Sequence, residues 1–440
     1  MQRNKENKNT DIDKMLVKYN KVLQKLKKKF NELQQDNKDN YNPIDHIKVR
    51  IKSKTSIKNK LKNKLNLDFT IKNIEDNLND IAGIRIICPF LSDINKVISY
   101  ITSDPDITII NIKNYIEDPK ETGYSSYHMI VSLPILIDGM EEQVKAEIQI
   151  RTMAMDVIAS LEHKIRYKSN VPFTKEDNEK IDSITSFVNL IDTYMDEFIQ
   201  EKKNYPMPII QEKSTKNKLP KATLNEFLKK YKIALKKVED IINDIKNEYV
   251  ANNMINPIEH IEGRIKTTTS ITSKLEEKKL NISLENIDKY ITDVGAIKVI
   301  CSFISDAWEI ISILKENTNF IILEEQDYIT NPKPCGYSSY HFVVAVPIEV
   351  DGKITFAKIE IQVRTIIMDF WANIEHILCY KKEVNLETKE QLKRIASALR
   401  LIEPEIDELA RNIFEQMKIT KDTNQKVLEL SLNPTKDTTY

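Results

Sequence analysis

The stretch Lys145–Thr152 reads KAEIQIRT and recurs at Lys358–Thr365 as KIEIQVRT. Apolar and polar residues alternate strictly along the first copy, which is typical of a β-strand with two different faces. This alternation places Glu147, Gln149 and Arg151 on one face and the apolar residues on the other. An acid, an amide and a guanidinium are expensive to bury. We therefore expect this polar face to form the floor of a cleft.

The two strands belong to a long internal repeat that organises the whole chain. The segments Pro43–Lys168 and Pro257–Lys381 carry the same motifs in the same order. Matched residues lie 214 positions apart up to Lys60 and 213 positions apart from Asp80 onward, so one residue is lost between them. All six histidines fall into matched pairs, which are His46 with His260, His128 with His341, and His163 with His376.

Amphipathic helices are predicted on both sides of each repeat. They are, in chain order, about Asp13–Asn37, Asp177–Lys202, Leu224–Tyr249 and Glu387–Met417. Between the repeats, residues 203–223 mix proline and charge without a period, which is typical of a linker. We therefore predict two domains, 1–202 and 224–440, each with an α/β core between helices.

The composition limits the class of protein. With 440 residues, of which 41% are apolar and 30% charged, the chain is long enough for two or three domains. Its 66 basic residues balance 66 acidic ones, so net charge gives no argument for a nucleic-acid or membrane partner. No apolar run approaches the roughly 18 residues of a membrane span, and we expect a cytoplasmic location. The four cysteines form no CxxC pair, which favours buried thiols over a zinc site.

Two carboxylates in each repeat are candidate metal ligands. Asp80 opens the predicted strand DIAGIRI, and Glu147 lies on EIQIRT. Carboxylates at the polar edges of two strands can share a magnesium ion that bridges nucleotide phosphates. The alternative is that Asp80 caps a turn and Glu147 pairs with a nearby arginine. The recurrence of both acids, as Asp293 and Glu360, favours the metal site.

A cluster of cations precedes the first acid. The stretch HIKVRIKSKTSIKNK contains Arg50, Lys52, Ser56 and Lys60, and the spacing of four from Ser56 to Lys60 suits one face of a helix. Such a cluster can neutralise a triphosphate, and a guanidinium plane can stack on a purine. The matched residues of the second repeat are Arg264, Lys266, Ser270 and Lys274.

The segment PKETGYSSYH is the most specific motif of the repeat. Its proline and glycine predict a tight turn that presents Lys120, Tyr124 and His128 together. In the following helix, MDVIASLEHKIRYK, Asp156 and His163 are seven residues apart and share a face. The sequence leaves three roles open for these two residues. They support a residue that binds the ligand, they contact a nucleobase, or they form an ordinary pair on the helix surface.

The ordered motifs RxKxxxSI, DIAGIR, PKxxGYxSYH, EIQIRT and LEH resemble the RelA/SpoT-type alarmone synthetases, most closely their small single-function members. The resemblance covers each repeat almost end to end. It implies, in each, a nucleotidyltransferase-like α/β fold with a mixed β-sheet flanked by helices. It also implies an enzyme that transfers pyrophosphate from ATP to the 3′ hydroxyl of GDP or GTP, with Mg²⁺ as the cofactor. In-line attack on phosphorus needs positioning and charge neutralisation more than a covalent nucleophile.

The same resemblance implies roles for individual residues. Magnesium and catalysis would fall to Asp80 and Glu147, and in the second repeat to Asp293 and Glu360. ATP would be bound by Arg50, Lys52, Ser56, Lys60 and Arg85, and in the second repeat by Arg264, Lys266, Ser270, Lys274 and Lys298. The acceptor would be bound by Lys120, Tyr124, His128, Gln149, Asp156 and Glu162, and in the second repeat by Lys333, Tyr337, His341, Gln362, Asp369 and Glu375. Arg50 and Arg85 would sandwich adenine, and Tyr124 would stack on guanine.

The sequence departs from the family pattern at several places. Both repeats read GYSSYH where many members have Arg after the Tyr, so Ser125 and Ser338 remove a cation from the acceptor side. The second repeat reads DVGAIK, which puts Lys298 where Arg85 stands, and an ammonium cannot stack on adenine as a guanidinium does. The bifunctional relatives also have a hydrolase domain with an HD motif. This chain has no His-Asp dipeptide, so hydrolase activity is not expected.

Three functional hypotheses follow from the sequence. In the leading one, both repeats bind nucleotide and at least the first is a working synthetase. In the second, the acceptor is a tRNA 3′ end, although the balanced charge gives little support. In the third, one repeat is a pseudoenzyme that senses nucleotide or serves the other as a partner surface. The duplication is also compatible with a covalent pseudo-dimer or with a homo-oligomer, and no membrane partner is expected.

Overall fold

The computed structural model describes residues 2–36, 42–120, 123–169, 172–203, 221–252, 254–350, 352–379 and 385–432. The chain forms two compact units, the first Met1–Ala159 with Asn178–Tyr205 and the second Ser160–Asp177 with Pro206–Tyr440. Most of the predicted linker, residues 204–220, lies outside the described residues. No helix of the described part of the chain is long and apolar enough to span a membrane.

The first unit is built on a five-stranded mixed sheet with the strand order β1-β2-β5-β4-β3. Strands β2 and β5 pair in parallel, and the other pairs are antiparallel. The strands are β1 (His46–Ile51), β2 (Ala82–Cys88), β3 (Thr108–Asn114), β4 (Tyr127–Ile137) and β5 (Met140–Thr152). The helices of this repeat are α1 (Gln2–Asp36), α2 (Lys54–Asn59), α3 (Ile71–Asn77), α4 (Leu91–Ser103), α5 (Met153–Ser169) and α6 (Lys175–Lys203), and a π-helical stretch, Lys60–Leu65, continues α2. The part of α5 from Ser160 onward and the start of α6 up to Asp177 belong to the second unit.

The second unit repeats this topology, with the strand order β6-β7-β10-β9-β8 and a parallel β7–β10 pair. Its strands are β6 (Ile258–Ile265), β7 (Gly295–Cys301), β8 (Ile321–Asp327), β9 (Tyr340–Val350) and β10 (Lys353–Thr365). Its helices are α7 (Lys221–Ala251), α8 (Thr268–Glu277), α9 (Leu284–Tyr290), α10 (Ile304–Glu316), α11 (Ile366–Cys379) and α12 (Leu386–Leu432). The predicted fold class, a mixed sheet flanked by helices in each of two tandem domains, is therefore confirmed.

The alternation of β5 decides which face of the first sheet is buried. Ile148 and Ile150 are fully buried and belong to the same apolar cluster as Leu26 and Phe30 of α1. Removing apolar surface from water stabilises a fold by about 25 cal/mol per Å², so burial of this cluster is the main contribution to the stability of the unit. The opposite face of β5 carries the polar residues, so packing of α1 against one side leaves the other side available for a cleft.

Two strand boundaries differ from the predictions. The sequence predicts a strand opened by Asp80, but β2 begins two residues later, at Ala82, and it ends at Cys88 because Phe90 already precedes the first turn of α4. The intervening Pro89 has no N–H to donate to a sheet ladder. At the other end, β5 begins at Met140, earlier than the alternating motif, because it forms a hairpin with β4.

Candidate active site

A cavity of about 320 Å³ opens on the polar face of the first sheet. Its lining is mostly polar and comes from β3, β4 and β5 and from segments before β2 and after β3. The lining residues are Lys60, Asn77, Asn79, Asp80, Asn111, Lys113, Tyr115, Lys120, His128, Ile130 and Glu147. Both predicted catalytic acids and three of the predicted nucleotide-binding residues therefore line one cavity.

Asp80 lies two residues before β2, and two lysines hold its carboxylate. Its Oδ2 is 2.5 Å from Lys52 Nζ and 2.8 Å from Lys60 Nζ. Burial by itself raises the pKa of Asp80, but the hydrogen bonds and charges of the two lysines bring it below its usual value. The other oxygen, Oδ1, is buried and accepts no hydrogen bond from the described residues.

Glu147 projects from the middle of β5 beside His128 of β4. Its Oε1 is 3.2 Å from His128 Nδ1, and its Oε2 accepts a hydrogen bond of 2.9 Å from Gln149 Nε2. Burial raises the pKa of Glu147, the contacts with His128 and Gln149 lower it below the usual value, and the charge of Asp80 opposes that lowering. Glu147 is thus paired with a histidine and an amide, and no described arginine contacts it, as the alternative interpretation would require.

The two acids have the chemistry of a magnesium site. Magnesium prefers oxygen ligands and is commonly held by one or two carboxylates together with substrate phosphates. The buried Oδ1 of Asp80 accepts no hydrogen bond from the described residues, so it is available as a ligand atom. No group of three or more His, Cys, Asp and Glu in the described part of the chain could hold a metal on its own. The residues therefore fit an ion whose remaining ligands come from nucleotide phosphates and water.

The described residues of the PKETGYSSYH segment, which exclude 121 and 122, are joined as the predicted turn requires. Gly123 N–H donates a 2.7 Å hydrogen bond to the carbonyl of Lys120, and Tyr124 Oη is 3.0 Å from His128 Nε2. The ammonium of Lys120 lies 4.6 Å from the centroid of the Tyr124 ring and 4.8 Å from that of Tyr115. The turn thus brings Lys120, Tyr124 and His128 together as the sequence predicts.

Gly123 has a backbone conformation that the turn requires. Its φ is +74°, and a Cβ there would lie 2.7 Å from Thr185 Cγ2 of α6. We expect Gly123→Ala to lower the free energy of unfolding by about 1–3 kcal/mol and to shift Lys120 enough to weaken acceptor binding. Gly139→Ala is the matched control, because Gly139 also has a positive φ but nothing lies within 4 Å of its Cβ position. Thermal melting and the acceptor KM check this, and equal effects of the two substitutions would contradict it.

Asp156 of α5 is the centre of a buried ion-pair cluster. Its carboxylate lies 2.9 Å from Lys48 Nζ, 2.9 Å from an Arg85 guanidinium nitrogen and 3.3 Å from an Arg151 nitrogen. Burial alone raises its pKa, but the three cations hold the pKa of this carboxyl well below its usual range. Because only 7% of Asp156 is exposed, the interpretation as an ordinary surface pair with His163 is wrong.

Three residues of this site have no role in the prediction from the sequence. Arg151 is only 3% exposed and donates to Tyr124 Oη at 2.5 Å, so it joins the ion-pair cluster to the acceptor turn. Lys48 neutralises Asp156 from β1, and the Tyr115 ring packs edge-on against His128 at 5.3 Å. The alternation of EIQIRT does place Arg151 on the polar face expected to form the cleft floor, but it indicates no partner for the guanidinium. No signal in the sequence indicates the contact between Lys48 and Asp156.

The remaining predicted residues of the first repeat lie as follows. Arg50 is exposed on β1, opposite Gly83 of β2. Ser56 is in the first turn of α2, where its backbone N–H is capped by Ser53. Glu162 lies further along α5, with its Oε1 3.4 Å from Nε of Arg166.

A second buried acid lies behind the site. Asp192 of α6 is 3% exposed and accepts a 2.6 Å hydrogen bond from Thr152 Oγ1, at the end of β5. Burial raises the pKa of Asp192 to about 7, while the Thr152 hydrogen bond lowers it and the charge of Asp196 raises it. The matched acid of the second unit is Glu403, which accepts a hydrogen bond from Thr365 and whose pKa burial also raises to about 7.

The raised pKa of Asp192 predicts how the stability of the protein changes with pH. The folded pKa of Asp192 is above its unfolded value of about 3.9, so its contribution is complete below about pH 4 and is lost as the pH rises through about 7. We expect Asp192→Asn to raise the free energy of unfolding at pH 8 by on the order of 3 kcal/mol and to have little effect at pH 4. Melting temperatures across this range check the sign, and a loss of stability at pH 8 would contradict it.

The second unit reproduces the acid and acceptor geometry. Asp293 Oδ2 lies 2.5 Å from Lys266 Nζ and 2.8 Å from Lys274 Nζ, and its Oδ1 is again buried without a hydrogen bond from the described residues. Glu360 Oε1 is 3.3 Å from His341 Nδ1, and Gln362 Nε2 donates to its other oxygen. Tyr337 Oη lies 2.9 Å from His341 Nε2, with Lys333 Nζ 4.9 Å from the Tyr337 ring centroid. Ser270 lies in the first turn of α8 and Arg264 on β6.

The two units differ in the cluster around the helix that follows the last strand. Asp369 lies 3.2 Å from an Arg364 nitrogen and 3.7 Å from Lys298 Nζ, and Lys298 is closer, at 2.9 Å, to Glu262. Burial lowers the pKa of Lys298, but the charges of Asp369 and Glu262 raise it above its usual value. Farther along α11, burial raises the pKa of Glu375, and Cys335 and Lys333 oppose this.

The fold and the site together define a tandem pair of nucleotidyltransferase-like domains. A family described as "Region found in RelA / SpoT proteins" matches residues 49–172 and again residues 263–385. The chain belongs to the RelA/SpoT family.

Individual relatives match about one unit each. GTP pyrophosphokinase YwaC of Bacillus subtilis (strain 168) is 41% identical over 182 residues, which are 41% of this chain and 86% of the relative. GTP pyrophosphokinase YjbM of the same organism is 31% identical over 191 residues, which are 43% of this chain and 89% of the relative. The crystal structure of small alarmone synthetase 1 from Bacillus subtilis bound to its product pppGpp is 30% identical and covers 44% of this chain and 99% of its own, with a TM-score of 0.41.

Proposed function

We propose that the chain is a (p)ppGpp synthetase, which transfers pyrophosphate from ATP to the 3′ hydroxyl of GDP or GTP, and that the first unit carries this reaction. The observation that supports it best is the convergence of Asp80 and Glu147 on one cavity with Lys60, Lys120 and His128. The two curated relatives that cover most of one unit are both named GTP pyrophosphokinase.

In the proposed reaction, the 3′ oxygen of the acceptor attacks the β-phosphorus of ATP. The bond from that phosphorus to the oxygen bridging the α-phosphate breaks, and AMP leaves with the bridging oxygen. The proton of the 3′ hydroxyl passes to the carboxylate of Glu147, which lines the same cavity as Lys120 and His128 of the acceptor side. A magnesium ion held by Asp80 and Glu147 would neutralise phosphate charge.

The donor side of the proposed site contains Arg50, Lys52, Ser56, Lys60 and Arg85. Lys52 and Lys60 already contact Asp80, so their ammonium groups lie where phosphates bridged to that carboxylate would be. Arg85 is held against Asp156, which fixes the guanidinium at the base of β2 before any nucleotide binds. Pre-organised charges of this kind lose little free energy to rearrangement when the transition state forms.

The acceptor side contains Lys120, Tyr124, His128 and Gln149. Arg151 supports this side by its hydrogen bond to the Tyr124 hydroxyl, and its guanidinium carbon lies 5.1 Å from the Tyr124 ring centroid. The Tyr124 ring can therefore offer one face to a guanine base while the protein holds its hydroxyl end in place. Asp156 acts on this side through Arg151 rather than through the acceptor itself.

A second candidate function concerns the second unit alone. Its donor-side cation Lys298 is an ammonium paired with Glu262, whereas the first unit has Arg85 and Lys48 at the matched positions. This difference favours a unit that binds nucleotide and does not transfer pyrophosphate from ATP. Its acid and acceptor geometry is retained, which is what a nucleotide-sensing unit requires.

The function is tested with the full chain and ATP labelled at the γ-phosphate. Incubation with GDP or GTP should give a labelled guanosine tetra- or pentaphosphate, together with unlabelled AMP. A parallel incubation with uncharged tRNA detects transfer to a tRNA 3′ end. The proposal fails if no labelled guanosine product appears.

A further inference from the structure

The two units carry opposite charges at one position of the first strand pair. In the first unit Lys48 of β1 lies opposite Arg85 of β2, and in the second Glu262 of β6 lies opposite Lys298 of β7. The strands pair in the same way, so the change is one of side chains and not of register. A lysine and an arginine in one unit correspond to a glutamate and a lysine in the other.

In the second unit, the residues expected to contact the phosphates of the donor nucleotide are unchanged by this difference. Lys266 and Lys274 hold Asp293 at 2.5 and 2.8 Å, the same distances at which Lys52 and Lys60 hold Asp80 in the first unit. A triphosphate therefore meets the same groups in both units. The altered pair, Glu262 and Lys298, lies beside Arg264, at the end of the donor site where the nucleotide base is expected.

The altered pair presents a carboxylate where the first unit presents cations. Glu262 and Arg264 are two residues apart on β6 and lie on the same face of the strand. The side chain of Glu262 is 59% exposed and its Oε2 is 2.9 Å from Lys298 Nζ. Lys298 thus pairs with the carboxylate on the strand face that also carries Arg264, whose guanidinium can stack on a base.

A fixed carboxylate distinguishes the two purines. The Watson–Crick edge of guanine presents two adjacent donors, N1–H and the 2-amino group, which match the two oxygens of a carboxylate. Adenine presents one amino group beside N1, an acceptor that repels a carboxylate. Hydrogen bonds to a charged group are among the strongest that a protein makes, and a bound adenine would place its N1 acceptor against the carboxylate instead of a donor.

We propose that the second unit binds a guanine nucleotide, rather than ATP, at its donor position, with Glu262 recognising the base and Arg264 stacking on it. This inference rests on the proposed function, which defines the donor position. It makes the second unit a site for a guanosine triphosphate whose phosphates contact Lys266 and Lys274.

The test measures how many molecules of an adenine nucleotide bind to each full-length chain. Equilibrium dialysis with α,β-methylene-ATP, which cannot donate pyrophosphate, should give one bound molecule per chain. The double substitution Glu262→Lys with Lys298→Arg restores the residues of the first unit and should give two. Photolabelling with 8-azido-GTP, followed by peptide mapping, should mark the β6–β7 segment of the unaltered chain and lose that mark in the double variant.

Reciprocal substitutions provide the matched control. Lys48→Glu with Arg85→Lys should reduce the count of adenine analogue from one to none and bring guanine labelling to the β1–β2 segment. If the double variant of the second unit melts early, Glu262→Gln, which keeps the shape of the side chain, should still lower labelling of β6–β7 at least tenfold. Two adenine analogues on the unaltered chain, or no guanine label on β6–β7, would overturn the inference. Both readouts are binding measurements, so absence of pyrophosphate transfer overturns the proposed function separately.

Discussion

Replacing Glu147 with Gln should reduce pyrophosphate transfer by the full chain about a thousandfold, the scale of a lost general base. The amide keeps the size of the side chain and can still contact His128 and Gln149, but it carries no charge and accepts no proton at neutral pH. The loss should therefore appear in kcat, with little change in the melting temperature. The measurement is the rate of labelled guanosine product at saturating ATP and acceptor.

Glu360→Gln makes the same chemical change at the matched position of the second unit. We expect this variant to keep at least half of the transfer rate, because the donor side of that unit is altered at Glu262 and Lys298. Equal losses from the two substitutions would show that both units transfer pyrophosphate, and would contradict the division of roles proposed above.

Asp156→Asn should destabilise the first unit by about 3 kcal/mol, since removing one partner from a buried ion-pair cluster leaves the others uncompensated. Lys48, Arg85 and Arg151 would then repel one another around a neutral amide. Release of Arg85 should also raise the KM for ATP, and release of Arg151 should raise the KM for the acceptor. Thermal melting and steady-state kinetics on the full chain measure both effects.

Asp369→Asn is the matched control for this prediction. Asp369 is opposed by Arg364 and by Lys298, and Lys298 keeps Glu262 as a second acidic partner when Asp369 is lost. The destabilisation should therefore be smaller than for Asp156→Asn. A larger loss of stability from Asp369→Asn than from Asp156→Asn would show that the number of neighbouring cations does not determine how much each carboxylate stabilises its unit.

The features that the sequence predicted are those with a local or periodic signal. The alternation of KAEIQIRT predicted a strand with a polar face, and that strand is the middle of β5. The proline and glycine of the acceptor motif predicted the turn that brings Lys120 to Tyr124. The internal repeat predicted two units with the same topology, because matched patterns fold in the same way.

The features that the sequence did not predict depend on contacts between distant segments. The partner of Asp156 on β1, Lys48, is 108 residues away along the chain, and no spacing rule connects them. The short contacts of Asp80 with Lys52 and Lys60 bridge 28 and 20 residues. Residue types suggested that these groups share a cleft, but only the sheet order, which places β2 between β1 and β5, determines which side chains meet.

The tandem arrangement has a consequence for how such a chain can diverge. An assembly of identical subunits carries every substitution in all of its copies, so any change that harms one cleft harms them all. Here both repeats lie in one chain, so they are always made in a one-to-one ratio. A difference such as glutamate at position 262, where the first repeat has Lys48, therefore affects one repeat only. The gene can therefore keep one copy under selection for turnover while the other drifts towards a different ligand.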